Sequence, residues 1–378
     1  MLNEFLTSVE VELQGFASQL DVFTIGANLQ FHTDLVENSL VILGVKETRR
    51  SGNDFNESLD FNGIRKQFYQ LKNGNWHLPM YDLGDLNPGA TVEDTYFALQ
   101  RIQQEILAQK CVLIILGGSA DLIYSQYRAF DELKLNVNLS IIDNRFRLGI
   151  DSDPLNNQNY LSKIIAEPPH NLFEYCHFGY QTYFVAQEEL DLMEQLNFDT
   201  KRLGKIIESI AEAEPEFRNS DLIALNLESI QSADMKSTIQ NSPNGFNARE
   251  ICSLSRYAGI NNKVQSFGVY SFKTKKNETD ELLISQIFWY FIEGKNHAPS
   301  DFSLENESQY EKFYVQIPEQ DITFYHNLLT DQWWLELKDM NDAKEEGSQV
   351  IPCSHQDYLS SLEGNIPDRW WKSYKKLY

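Results

Sequence analysis

The chain predicts an α/β fold with a mostly parallel sheet covered by helices on both faces. Three observations carry that prediction. Short apolar runs alternate with stretches of helical spacing between residues 40 and 292. Several of those runs are continuously apolar, as strands buried on both faces are. Three of them, within residues 113–121, 139–147 and 222–228, end in polar residues. In a parallel sheet such endings gather at the carboxyl edge, where ligands bind.

The elements follow in order. Residues 40–45, Leu-Val-Ile-Leu-Gly-Val, read as a buried strand. A polar loop covers 47–62, and residues 63–68 open a helix. Residues 80–85 read as a second strand with a glycine turn. From 92 to 109, Tyr96, Leu99, Ile102 and Ile106 fall on one helical face. Strand 112–116, a short helix and strand 139–142 come next. Residues 175–180 are strand-like, 187–196 helical, 222–227 strand-like, 246–257 helical and 264–272 strand-like. An apolar helix at 282–292 closes the pattern. The polar stretch 295–307, with Pro299 inside it, reads as a linker. Beyond it, 313–317 reads as a strand and 367–378 as a short basic amphipathic helix with Asp368 near its start. The expected organisation is an N-terminal helical and loop segment (1–37), an α/β domain (38–295) and an aromatic-rich C-terminal extension (296–378).

Composition narrows the partners. The 378 residues are 42% hydrophobic and 23% charged, enough for a large buried core. Lys+Arg is 32 against Asp+Glu 55, a net charge of −23. Such a surface repels phosphate backbones and anionic lipid, so no nucleic-acid or membrane-surface partner is expected. No apolar run reaches the ~18 residues of a membrane span. Residues 1–6 carry early acid and no basic start, so no signal peptide is expected. The four cysteines are scattered without a Cys-x-x-Cys pair, which suits buried free thiols in the cytoplasm. Neither a Walker turn nor a Gly-x-Gly-x-x-Gly fingerprint is present. The seven histidines show no metal-ligand spacing, and His177, in a strand-like run, reads as a core histidine. Ser119 follows a Gly-Gly turn but has no histidine in a matching position to activate it.

Several motifs together resemble the arginase (ureohydrolase) family, with formimidoylglutamase-type members closest. They are Tyr81-Asp82-Leu83-Gly84-Asp85, the Gly117-Gly118 turn, residues 172–175 leading to Gly179-Tyr180-Gln181, and Asn247-Ala248-Arg249-Glu250. The resemblance spans roughly residues 38–295. It implies a three-layer α-β-α sandwich around an eight-stranded, mostly parallel sheet. It also implies two manganese ions whose bridging hydroxide attacks a guanidinium or formimino carbon.

The ligand positions that the resemblance carries over are mostly replaced. Ala120 stands where a ligand histidine would be, and Arg145 replaces another. Asp143 keeps its carboxylate, while Arg147 takes the place of an aspartate. Asn226 is a neutral substitute for a bridging aspartate, and Glu228 is a longer carboxylate. Two carboxylates would therefore face two guanidiniums, a neutral cluster before any metal arrives. A divalent ion about 4 Å from a guanidinium meets repulsion of several kcal/mol even at an effective dielectric near ~20. The expectation is a catalytically inactive protein with no catalytic residue, no bound metal and no cofactor, acting as a scaffold or regulatory binding protein. Asp143, Arg145 and Arg147 are spaced by two, so an extended backbone aims all three to one side. A turn after the apolar run would instead leave one arginine in solvent.

Three alternatives stay open. One is a metal-dependent hydrolase of guanidino or formimino C–N bonds with an altered site, which alone would need manganese. Another is a non-catalytic guanidino sensor using Glu250, which the resemblance places against the substrate guanidinium; the plainer reading of Glu250 is an ion-paired helix residue. The aromatic pairs Trp333-Trp334 and Trp370-Trp371 either pack onto the body or anchor a protein partner. The resemblance also makes a homo-oligomer a candidate assembly.

Overall fold

A computed structural model describes residues 2–52, 58–150, 152–274, 277–299, 302, 308–317, 320–337 and 349–377. The five residues 53–57 of the polar loop, and most of the linker beyond 299, lie outside the described residues.

Fourteen strands are present among the described residues: β1 (Leu6–Thr7), β2 (Leu29–Gln30), β3 (Leu40–Val45), β4 (Met80–Leu86), β5 (Val112–Gly117), β6 (Val137–Ile142), β7 (Leu172–Tyr180), β8 (Asp199–Arg202), β9 (Leu222–Asn226), β10 (Ser266–Tyr270), β11 (Tyr310–Gln316), β12 (Asp321–Asn327), β13 (Trp333–Leu337) and β14 (Gln349–Cys353). The first ten make one sheet, ordered β1-β4-β3-β5-β10-β9-β6-β7-β8 with β2 also on β4. The eight strands from β4 to β8 in that order are mutually parallel. The N-terminal segment adds β1, antiparallel to β4, and the two-residue β2.

The continuous apolar runs form central strands because both faces are covered. Ile114, Leu116, Ile223, Leu225, Phe267 and Val269 enter one core, with helices Asn62–Gln70, Ala248–Gly259 and Glu278–Asn296. Leu113, Ile115, Leu222 and Ala224 enter the other, with helices Val92–Ala108, Leu122–Arg128 and Tyr160–Ala166. Each such aliphatic side chain contributes roughly 1.5–3 kcal/mol on burial. Register then sets the site. Ile142 pairs Leu225, Asn226 pairs Tyr270, and Val269 pairs Leu116. The polar endings of β5, β6, β9 and β10 therefore finish together at the carboxyl edge.

Residues beyond 308 form a second, antiparallel sheet in the order β11-β12-β13-β14. Helices His355–Leu362 and Asp368–Leu377 pack with it. This module docks on the body through Arg218, whose guanidinium lies 4.7 Å from the Trp334 ring centre and donates to the Cys353 carbonyl at 3.0 Å. Arg369 bridges Glu216 of the body and Asp357 of the module. All four cysteines are free and buried. No helix among the described residues is long and apolar enough to cross a membrane.

Candidate functional site

The site is built where β6 and β9 end. Asp143 follows β6 directly and is wholly buried. Asn226 ends β9, and its side-chain oxygen accepts the Glu228 N–H, winding Leu227–Ser229 into a single turn. That turn brings the Glu228 carboxylate inward, 2% exposed.

Arg147 joins the two acids. Its Nε donates to Asp143 Oδ2 at 2.8 Å and its Nη2 to Asp143 Oδ1 at 3.1 Å. The same Nη2 donates to Glu228 Oε2 at 2.6 Å. Both acids spend their remaining capacity on neutral donors. Asn226 Nδ2 and the Asn144 N–H serve Asp143, and the Gln240 N–H serves Glu228 Oε1. Burial works against the Arg147 charge, but Asp143 and Glu228 outweigh it and hold its pKa above the ordinary value. Its Nη1 is buried without a hydrogen-bond partner.

The backbone explains which arginine enters. Arg147 sits at φ 61°, in the left-handed region that most side chains avoid. The chain turns there instead of running on extended, so the spacing of two does not hold. Arg145 is thereby turned outward, its guanidinium 4.4 Å from the Phe184 ring centre and bonded to Asn144 Oδ1 and Gln240 Oε1. Burial, then repulsion from Arg147, lowers its pKa. The expected pair of guanidiniums facing two carboxylates is thus corrected to one.

The other expected positions separate. Ala120 is wholly buried and offers only a methyl group to its apolar surroundings. Its Gly-Gly turn has a packing reason, since a Cβ on Gly118 would lie 2.1 Å from the Glu47 carbonyl oxygen. Ser119 donates to the Asp121 carboxylate, which also accepts from Tyr96. Glu250 does not join the cluster: its Oε2 accepts the Asn247 N–H at 2.9 Å and closes a capping box on helix Ala248–Gly259. Trp333, Trp334 and Trp370 are buried in the C-terminal module, and Trp371 is half-buried. Trp333 and Trp370 belong to the module's own core, while Trp334 packs on Arg218 of the body.

Three contributors escaped sequence reasoning. Asn144 Nδ2 donates to the Glu228 carbonyl at 2.9 Å and ties the two strand ends together. Its position beside Asp143 was the available signal. Gln240 acts through its main-chain N–H, for which no side-chain signal exists. His177 was read correctly as buried but not as bonded to the site: its Nε2 lies 3.0 Å from the Asp143 carbonyl oxygen. A carbonyl only accepts, so Nε2 carries the proton and Nδ1 accepts from the Tyr175 hydroxyl at 2.7 Å. Burial pushes the imidazole pKa down to about 4, so the ring is neutral at pH 7.

This donor set does not fit a metal pair. Every carboxylate oxygen is already engaged, a fixed cation lies between the acids, and the one imidazole is turned to a carbonyl. Among the described residues no group of three or more His, Cys, Asp or Glu could hold a metal ion.

No family model matches the chain, and no curated protein matches it by sequence. Solved structures do match its fold. A manganese-bound formiminoglutamase from Trypanosoma cruzi aligns with TM-score 0.62 and 17% identity over 69% of this chain and 95% of its own. A formimidoylglutamase from Bacillus subtilis gives 0.65 and 14% over 72% and 91%. An agmatine ureohydrolase from Thermoplasma volcanium gives 0.59 and 17% over 75% and 97%. The chain has the fold of the arginase superfamily.

Proposed function

We propose that this chain is a non-catalytic, cytoplasmic protein built on a ureohydrolase fold, acting as a scaffold or regulatory binding protein. One observation carries the reading. The Arg147 guanidinium, wholly buried, bonds both Asp143 and Glu228 and supplies the positive charge that bound ions would otherwise bring. With that space filled, no group in the cluster activates water. Asp143 and Glu228 are spent as acceptors, and His177 holds its proton toward a carbonyl. What the fold retains is a rigid platform with an attached module.

The test is a metal count and a turnover assay on the full chain. After incubation with excess manganese and desalting, no tightly held ion is expected. No urea, formamide or ammonia should be released from arginine, agmatine or formiminoglutamate. A retained pair of ions per chain, or turnover, would establish the hydrolase reading instead. The same three compounds test the sensor reading by thermal shift. No shift is expected, because the Glu250 carboxylate is committed to its helix cap.

A further inference from the structure

A groove of about 540 Å³ runs along the solvent side of helices Ala248–Gly259 and Glu278–Asn296. The two helices touch through glycine: a Cβ on Gly259 would lie 2.1 Å from the Phe291 carbonyl oxygen, and one on Gly294 would lie 2.4 Å from that of Arg256. The groove lies on the N-terminal side of that contact. Its floor is aromatic, from Tyr257, Trp289 and Tyr290, each half-buried. Its rim is cationic, from Lys72, Arg249 and Arg256. No carboxylate lines it among the described residues.

That lining is unusual on this molecule. Acidic residues outnumber basic ones by 55 to 32 in the whole chain, yet the groove gathers three cations and no acid. Arg249 has no ion pair among the described residues and is exposed. Lys72 reaches Asp21 only at 3.9 Å, with both side chains more than half exposed. Arg256 bonds Glu293, which fixes its guanidinium at the rim. Apolar surface continues beyond the rim. Thr24 bridges to Lys72, and the preceding Val22 and Phe23 are each 69% exposed.

We propose that this groove is a docking site for an acidic amphipathic helix of a partner protein. Two helical walls with an apolar floor suit a third helix laid between them. Its aromatic or aliphatic residues at i, i+3, i+4 and i+7 meet the tyrosines and Trp289. Its Glu or Asp residues meet Arg249, Arg256 and Lys72. From Arg249 to Arg256 the cationic rim is two helical turns long, about 10 Å, so a partner helix of roughly three turns covers it. Charge complementarity selects this occupant: among the described residues Lys72 and Arg249 stand over the apolar floor without a close acid and no carboxylate lines the groove, so an acidic helix is attracted where a basic one is repelled. The proposal does not depend on the inactivity of the Asp143 cluster, so either can fail alone.

The probe is a fluorescein-labelled amphipathic peptide of about 16 residues, with Glu on its polar face and Leu and Trp on its apolar face. A matched peptide carries Lys in place of Glu. Anisotropy titration against the full chain should show saturable binding of the acidic peptide alone, weakening as salt rises. The double variant Lys72→Glu/Arg249→Glu should bind about tenfold more weakly or worse. Both side chains are exposed, and unchanged circular dichroism and thermal midpoint confirm the fold. Absence of binding, equal binding of the Lys peptide, or affinity unmoved in the double variant each overturns the proposal. So does a drop in mass of the double variant by sedimentation, which would assign the groove to self-association.

Discussion

Two buried arginines in this molecule each face two carboxylates, and they are built differently. Arg65, on helix Asn62–Gln70, donates to both oxygens of Asp82 and to the Gly84 carbonyl, and its Nη1 lies 2.8 Å from Asp85. Lys46 adds a second cation on Asp85, and the Tyr69 hydroxyl donates to Asp82. That cluster balances two positive charges against two negative and engages every guanidinium nitrogen. Arg147 faces Asp143 and Glu228 alone, from a left-handed backbone, with Nη1 unpaired. The deficit of one positive charge is covered by neutral N–H donors from Asn144, Asn226 and Gln240. The first network is balanced in charge, with Asp85 Oδ1 held by the nearby guanidinium but without a hydrogen bond. The second is short of one positive charge and carries an unsatisfied donor and a residue in the left-handed region.

The sharpest break would come from removing each arginine. Arg147→Met leaves two wholly buried acids without a counter-charge and should cost about 3–5 kcal/mol in urea denaturation. Arg65→Met should cost less, because Lys46 and Tyr69 still serve its acids. The comparison fails if the order is reversed. Arg147→Ala sharpens it further: millimolar guanidinium should raise that variant's thermal midpoint and leave the parent unmoved, since the ion refits the vacated space.

Acidity offers the next largest effect. Burial pushes the Asp121 carboxyl up to about 6 from 3.8, so the folded state takes up a proton in that window and its ionisation costs stability as pH rises. Burial pushes His177 down from 6.5 to about 4, so its contribution is complete above 6.5 and is lost as pH falls. Over the shared window the two slopes oppose. Stability of His177→Gln should fall with rising pH there, and that of Asp121→Asn should rise, each by about 3 kcal/mol across it. Parallel curves for the two variants would show that neither group titrates as its burial dictates. The smallest effect belongs to Arg145. Half out in solvent over Phe184, its replacement by Ala should change stability by less than about 1 kcal/mol and leave the Arg147 bonds intact.

The sheet was legible because strands covered on both faces leave continuous apolar runs. The runs at 40–45, 112–116 and 222–227 each became strands within a residue or two. β8, Asp-Thr-Lys-Arg, was not legible, because an edge strand with no buried residue has no hydrophobic signature. Most of the second sheet escaped although its middle strands are largely buried. Only 313–317 was read as strand, although Trp333 and Trp334 lie side by side on β13 and both are buried. That adjacency marks a strand covered on both faces, as it does in the body. At the site, Ala120, Asn226 and Glu228 could be placed from their neighbours. The choice between Arg145 and Arg147 could not, since it rests on one positive φ. Glu250 shows how the plainer of two readings can rest on local structure. Asn247-Ala248-Arg249-Glu250 fits a capping box as well as any ligand motif, and the local physics of the helix end takes the carboxylate.

A cation that is part of the polypeptide cannot be dialysed away. Arg147 stays in its pocket in the presence of a chelator, in manganese-poor medium and through every change of buffer. On the proposed reading, the stability and shape of the protein are set at synthesis and do not follow the supply of any transition metal.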